Sequence, residues 1–298
     1  MEFMTIHVCG EGLVDLVPVA PGSLNDLTPA LGGGPFNVAI AAARLGADVA
    51  FQSRLSTDGF GRELVAALER EGIDTTWVQR GDEPTTLAVT TIDPDGSASY
   101  TFYTEGTADR LVAPRLAPAD IACFGTVSLA LEPGASRYAN LLREFAHQGT
   151  LVALDPNIRP FYATETHRAF LQELLPYVTL LKLSVDEVEF LGPAALKKVP
   201  IMVITDGSVG LRVVAGTTDF QLPAYPVEMA DTIGAGDAVL GALLTTIDER
   251  GLDRDALERL SQYDWQKILE FAAKAAAITV SRTGAQPPTR AEVEAFQA

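Results

Sequence analysis

The segment Asp231-Thr232-Ile233-Gly234-Ala235-Gly236-Asp237 runs directly into the apolar stretch AVLGALLTTI. A helix mouth built from small residues lets its unpaired N–H groups approach an anion, and the helix dipole adds about half a positive charge there. A phosphate is the natural guest. Asp237 is the odd member, because a carboxylate beside an anion hole repels phosphate unless it has a task of its own. That task would be to take a proton from an attacking hydroxyl. The competing reading is a helix cap, for which Asp is a common residue. Gly32-Gly33-Gly34-Pro35-Phe36-Asn37 also opens a helix. Its bare backbone lets a polar ligand touch main-chain N–H and C=O groups, and Asn37 can fork hydrogen bonds to vicinal hydroxyls. That describes a sugar site, although a flexible turn would look the same. Gly10-Glu11-Gly12 with Asp15 adds a carboxylate at the end of the first strand, where α/β folds place ligand crevices. Asp15 interrupts an apolar run and needs partners, either ligand hydroxyls or nearby backbone.

Other nucleotide and hydrolase motifs fail. No Gly-Lys dipeptide occurs, so the Walker P-loop is absent. GEGLVD has Asp15 where a Rossmann fingerprint needs its third glycine and runs into Pro18, which leaves a nicotinamide dehydrogenase only a runner-up. In Asp206-Gly207-Ser208-Val209-Gly210, Asp206 stands where a GxSxG elbow needs glycine. The 298 residues carry 22 Lys+Arg against 39 Asp+Glu, a formal charge of −17, which speaks against a nucleic-acid partner. With 47% apolar and 20% charged residues the chain can bury a substantial core, and disorder over most of it is excluded. Cys9 and Cys123 form no CxxC pair, and His7, His147 and His167 fall at no metal-binding spacing. The N-terminus lacks the pattern of a signal peptide and no window approaches ~18 apolar residues, so the expectation is a cytoplasmic protein with no membrane partner.

To position these groups the chain must alternate strands and helices. Ile6 to Cys9 and Leu13 to Val19 read as strands, the second broken at Pro18. Phe36 to Leu45 reads as a helix stopped by Gly46, VAFQSRL as a strand, and Phe60 to Arg70 as a helix stopped by Gly72. Thr85 to Ile92 and Ser97 to Tyr103 flank Asp93-Pro94-Asp95-Gly96, a strong hairpin signal. IACFG, TLVALD, VTLLKL and IMVITD are short apolar runs, as a parallel sheet covered on both faces demands. Ala235 to Ile247 and Trp265 to Val280 predict apolar helices. The economical architecture is one α/β domain with a small β excursion suited to a lid.

These residues carry a resemblance. Gly33-Gly34-Pro35-Phe36-Asn37-Val38-Ala39 with Gly46 resembles the first signature of the ribokinase-like (PfkB) carbohydrate kinases, and Asp231 to Asp237 resembles the second. Both fall in the expected order, and the resemblance extends from about Gly10 to Gly284. Ser56 and Val239 depart from the usual pattern, and neither removes a reacting group. The resemblance implies a ribokinase-like three-layer α/β/α sandwich with a mostly parallel central sheet. It implies one kinase domain over residues 1–298, with a β-sheet lid from about 13–31 and 85–105.

The implied activity is transfer of the γ-phosphate of ATP to a sugar hydroxyl, with Mg²⁺ as cofactor. Asp237 resembles the general base, and the N–H groups of Gly234, Ala235 and Gly236 the anion hole. Asp15, Gly33, Gly34, Asn37, Tyr103 and Arg159 correspond to sugar-binding positions. Lys182, Ser184, Thr205, Gly207, Gly210, Ala273 and Ala276 correspond to ATP-binding positions, Lys182 read alternatively as a strand-end surface lysine. Glu187 would hold Mg²⁺ through water, the alternative being a solvated helix carboxylate. Asp231, with the Ser281–Gly284 loop, corresponds to a site for a monovalent cation such as K⁺. FYTEGTADRL and DPNIRP look most like fructokinases, which phosphorylate the sugar 6-hydroxyl. The same segments resemble 2-keto-3-deoxygluconate kinases, in which Arg159 would face a substrate carboxylate. Other sugar or nucleoside kinases of the family fit them less well. A sugar-binding protein of the same fold without turnover is the rival from another class, and intact Asp237 beside GAG argues against it. The family's lid strands often pair between subunits, which implies a homodimer.

Overall fold

The computed structural model describes residues 5–20, 22–92 and 98–297. The chain begins with β1 (Ile6–Cys9), β2 (Leu13–Pro18), β3 (Leu27–Gly32), α1 (Gly34–Arg44), β4 (Val49–Ser56), α2 (Gly59–Arg70) and β5 (Val78–Gly81). It continues with β6 (Leu87–Ile92), β7 (Ala98–Tyr103), β8 (Ile121–Gly125), α3 (Gly134–His147), β9 (Leu151–Asp155), α4 (Glu165–Leu174), β10 (Leu180–Ser184), α5 (Val185–Leu191) and α6 (Pro193–Leu196). The last part holds β11 (Ile201–Asp206), β12 (Gly210–Ala215), β13 (Thr218–Pro223), α7 (Ala235–Glu249), α8 (Arg254–Glu258), α9 (Gln262–Val280) and α10 (Arg290–Ala295).

A nine-stranded sheet has the order β13-β12-β11-β10-β9-β8-β1-β4-β5. Its strands are parallel from β5 to β11, and β12 and β13 close it as an antiparallel hairpin. The apolar runs are continuous because both faces are covered. Ile121 and Cys123 of β8 and Leu151 and Ala153 of β9 pack with α1, α2, α7 and α9. The alternate residues, Ala122, Phe124, Val152 and Leu154, pack with α3, α4 and α5. This period-2 division produces the three layers.

Helix starts are set by local chemistry. Asp58 accepts from Gly61 N at 2.7 Å to cap α2, and Ser261 with Asp264 forms a capping box at α9. Pro35 sits in the first turn of α1, where its missing N–H costs nothing.

A second sheet has the order β3-β2-β6-β7, with β2 parallel to β6 and the other pairs antiparallel. The expected strand at Leu13 and the described parts of the strands expected to begin at Thr85 and Ser97 lie in it; β3 falls within the expected lid span 13–31 but is not itself read as a strand from the sequence. Pro29 disguises that strand, and it is tolerated because β3 lies at the sheet edge. The hairpin turn expected at Asp93 to Gly96 lies outside the described residues. The β12–β13 hairpin was likewise not foreseen.

Candidate active site

The mouth of α7 is built on Gly234, which takes a left-handed backbone at φ 77°. A Cβ there would meet Ala285 Cβ at 2.8 Å, so glycine is required twice over. The amide of Ala235 turns back onto Thr232 O at 3.3 Å, and that of Ala238 bonds Gly234 O at 2.8 Å. The amides of Gly234, Gly236 and Asp237 have no backbone acceptor among the described residues and remain for an anion. Of the expected hole, Gly234 and Gly236 keep free amides, and Ala235 turns its own onto Thr232.

Asp237 is the third residue of α7, and its side chain makes no capping bond. Its carboxylate accepts instead from Asn37 Nδ2 at 2.8 Å across 200 positions of chain. The close approach of α1 and α7 makes this contact: a Cβ on Gly241 would lie 2.7 Å from Ala41 Cβ. At 7% exposure, burial pushes the Asp237 carboxyl up to about 6, with Asp155 adding to the rise and Lys182, Asn37 and Arg159 opposing it. A base with that proton affinity suits neutral pH.

Asp237 and Asn37 face a cavity of about 380 Å³, also lined by Asp15, Gly33, Gly34, Arg159 and Lys182. Asp15 stands on β2, in the smaller sheet, rather than at the end of β1. Burial pushes its carboxyl up to about 6, against the pull of Arg159. Among the described residues the Arg159 guanidinium donates to the carbonyls of Asn157 at 3.3 Å and Ile158 at 3.5 Å. Tyr103 does not join them. It is 60% exposed and does not line the cavity, because Tyr100 and Phe102 occupy the face of β7 that does.

Glu11, Thr126 and Asn157 also line this cavity and were not singled out from the sequence. Glu11 is buried, accepting from Thr126 Oγ1, from Ser128 Oγ and from Ser128 N at 3.1 Å. Burial pushes its carboxyl up to about 7. Thr126 (φ 62°) and Asn157 (φ 42°) are the non-glycine residues with left-handed backbone among those described. Such strain gathers at functional sites, and composition gives no sign of it.

A second cavity, of about 650 Å³ and mostly apolar, adjoins the first through Thr232 and Gly236. Thr205, Gly207, Gly210, Ala273 and Ala276, the positions corresponding to ATP-binding ones, all line it. Lys182 lines the first cavity instead, buried and paired with Asp155 Oδ2 at 2.9 Å. Burial alone would lower its ammonium's affinity for the proton, but Asp155 and Glu187 outweigh this and hold it above the usual lysine range. The surface-lysine reading therefore fails.

Ser184 lines neither cavity. It caps α5 in a capping box with Glu187, whose carboxylate accepts from Ser184 N at 2.7 Å and Ile158 N at 2.6 Å. The solvated reading of Glu187 fails too, since this buried carboxylate anchors the turn carrying Asn157 and Arg159. Asp231 accepts from Ile233 N at 3.1 Å and Gly284 N at 2.9 Å, tying the α7 mouth to the Ser281–Gly284 loop. Cys9 and Cys123 are free and buried.

The sequence matches the family described as pfkB family carbohydrate kinase over residues 5–292. It is 32% identical over 312 residues to Fructokinase-1 of Oryza sativa subsp. japonica, covering 97% of this chain and 95% of that one. A fructokinase with bound ATP from Xylella fastidiosa superposes with a TM-score of 0.90 at 28% identity, covering 97% of each chain. A fructokinase double mutant from Vibrio cholerae O395, in a fructose, ADP and potassium ion bound form, superposes at 0.85 and 25% identity, covering 99% of this chain and 98% of that one.

Proposed function

The chain belongs to the pfkB family of carbohydrate kinases, and on that premise we propose that it is an ATP-dependent fructokinase forming fructose 6-phosphate. The observation that carries the reading is the buried Asp237–Asn37 contact of 2.8 Å at the helix mouth where a polar and an apolar cavity meet. The relatives named above, one with bound ATP and one with fructose, ADP and potassium, support it.

Fructose lies in the polar cavity against Asp15, Gly33, Gly34 and Asn37, with Arg159 nearby. Asn37 turns the Asp237 carboxylate toward the 6-hydroxyl, and Asp237 takes its proton as the oxygen attacks the γ-phosphorus. The amides of Gly234, Gly236 and Asp237 receive the phosphoryl oxygens, since this reaction needs alignment and charge neutralisation more than covalent help. The adenine lies against Ala273 and Ala276. Thr205, Gly207 and Gly210 border the same cavity, and Lys182 supplies positive charge at the boundary.

Among the described residues no group of three or more His, Cys, Asp or Glu is arranged to hold a metal. Mg²⁺ would be carried chiefly by nucleotide phosphates and water, with Glu187 reached through water. Mg²⁺ would neutralise phosphate charge. Asp231 with the Ser281–Gly284 loop is the proposed place of a monovalent cation, K⁺. The four-stranded sheet serves as a lid that excludes water, on one kinase domain. Exposed Tyr103 on β7, with exposed Val19 and Leu24 in the β2–β3 connection, supports pairing in a homodimer. We place the protein in the cytoplasm; no described helix is long and apolar enough to cross a membrane.

The test is ADP release with MgATP against fructose, glucose, ribose, 2-keto-3-deoxygluconate and adenosine, with Asp237→Asn as control. Release with fructose, abolished in the control, is expected. Release only with the keto acid would move Arg159 to carboxylate recognition, and no release with any acceptor would overturn the kinase reading.

A further inference from the structure

Asp155 ends β9, and Lys182 stands beside it on β10. Their ion pair of 2.9 Å is nearly sealed from solvent, with the side chains 6% exposed for Lys182 and 3% for Asp155. Only Lys182 lines the polar cavity. A Cβ added to Gly236 would lie 2.6 Å from Lys182 Nζ, so the ammonium presses against the second residue of α7, where the two cavities meet. Asp155 is held by its backbone, since a Cβ on Gly125 would lie 1.9 Å from Asp155 O. Its Oδ1 has no hydrogen-bond partner among the described residues. A buried ion pair is weak evidence of stabilisation, because well-packed apolar residues often replace one without loss. A half-satisfied carboxylate behind a cavity wall calls for another explanation.

We propose that Asp155 is a positioning residue for phosphoryl transfer, pinning the Lys182 ammonium against Gly236 at the junction of the two cavities. There the charge meets the negative charge that crosses from nucleotide to sugar, while Asp155 itself touches neither. The inference rests on the kinase reading. Asp155 also bears on Asp237: among the charged groups facing that carboxylate, Asp155 raises its proton affinity, and Lys182 and Arg159 lower it.

The experiment is a double-mutant cycle on the full chain, with Asp155→Asn, Lys182→Met and both together, reading kcat and the KM values for fructose and MgATP. Lys182→Met should lower kcat by about 10²-fold, as loss of one fixed donor does. Asp155→Asn should lower kcat by about tenfold with fructose KM little changed, and should add less than about twofold in the Lys182→Met background. The acid limb of its pH profile should move to lower pH. Losses that simply multiply would overturn the proposal. Lys182→Met alone strands a buried charge, so the doubly substituted protein, with neither charge, serves as the folding control by thermal melt. A crystal structure of Asp155→Asn tests the positioning whatever the protein phosphorylates: the ammonium should leave Gly236, and an unmoved ammonium would overturn the inference. A wild type inactive with every acceptor would overturn the kinase reading instead.

Discussion

A carboxylic acid that titrates near pH 6 is a compromise at Asp237 between burial with Asp155 nearby and the pull of Lys182 and Asn37. As the proposed general base, Asp237 acts in its ionised form. We therefore expect kcat/KM to fall as pH drops through about 6, and Asp237→Asn to lower turnover by about 10²–10⁴-fold, read by ADP release across pH. The same residue weighs on stability with the opposite sign. Its folded value of about 6 lies above the ordinary 3.8, so the folded state binds the proton more tightly. The contribution is full below about pH 4 and lost as pH rises to about 6. At neutral pH Asp237→Asn should thus melt at a higher temperature than wild type while losing its turnover, a trade of stability against function. An unchanged or lower melting temperature would contradict that account of the burial.

At the scale of elements, the contact of α1 with α7 decides whether a base and its orienting amide meet at all. Gly241 lies one helical turn below Asp237, and its missing side chain admits Ala41 and Ala42 N, a Cβ there falling 3.0 Å from the latter. Gly241→Ala should cost about 1–3 kcal/mol by overpacking, seen in denaturant unfolding. It should also lower kcat, because the helices must part where Asn37 reaches Asp237. Much of this framework was legible in the sequence. Glycine runs, small-residue helices and unbroken apolar strands each carry a local signal, and both helix mouths lay where those signals put them. What escaped depends on phase and on distant partners. One residue of β pleat separates Tyr103 from Tyr100 and Phe102, and no local pattern reveals which side faces the cavity. Ser184 and Glu187 form a capping box as well, a pairing their residue types alone do not distinguish from a ligand site. Glu11 and Asp155 look like ordinary carboxylates until Thr126, Ser128 and Lys182 are folded against them.

The molecule as a whole carries a formal charge of −17, yet its proposed substrate is an anion. At the first cavity positive charge comes from Lys182, Arg159 and the mouth of α7, and an approaching nucleotide first meets the opposing net field. Raising ionic strength from about 0.01 to 0.15 M shortens the screening length from about 30 to 8 Å. We expect kcat/KM for MgATP to rise over that range in choline chloride, a salt that supplies no K⁺. A fall would mean that local attraction dominates at long range. The joining of Asn37 to Asp237 across 200 positions also bears on how the molecule comes into being. A ribosome adding roughly 5–20 residues per second needs about 10–40 s to travel that distance. Throughout that interval α1 is already made, and the face it will lay against α7 has nothing to cover it. The nascent chain meanwhile holds the sugar-side half of the site without its base, so the capacity to spend ATP arrives only with the last quarter of the polypeptide.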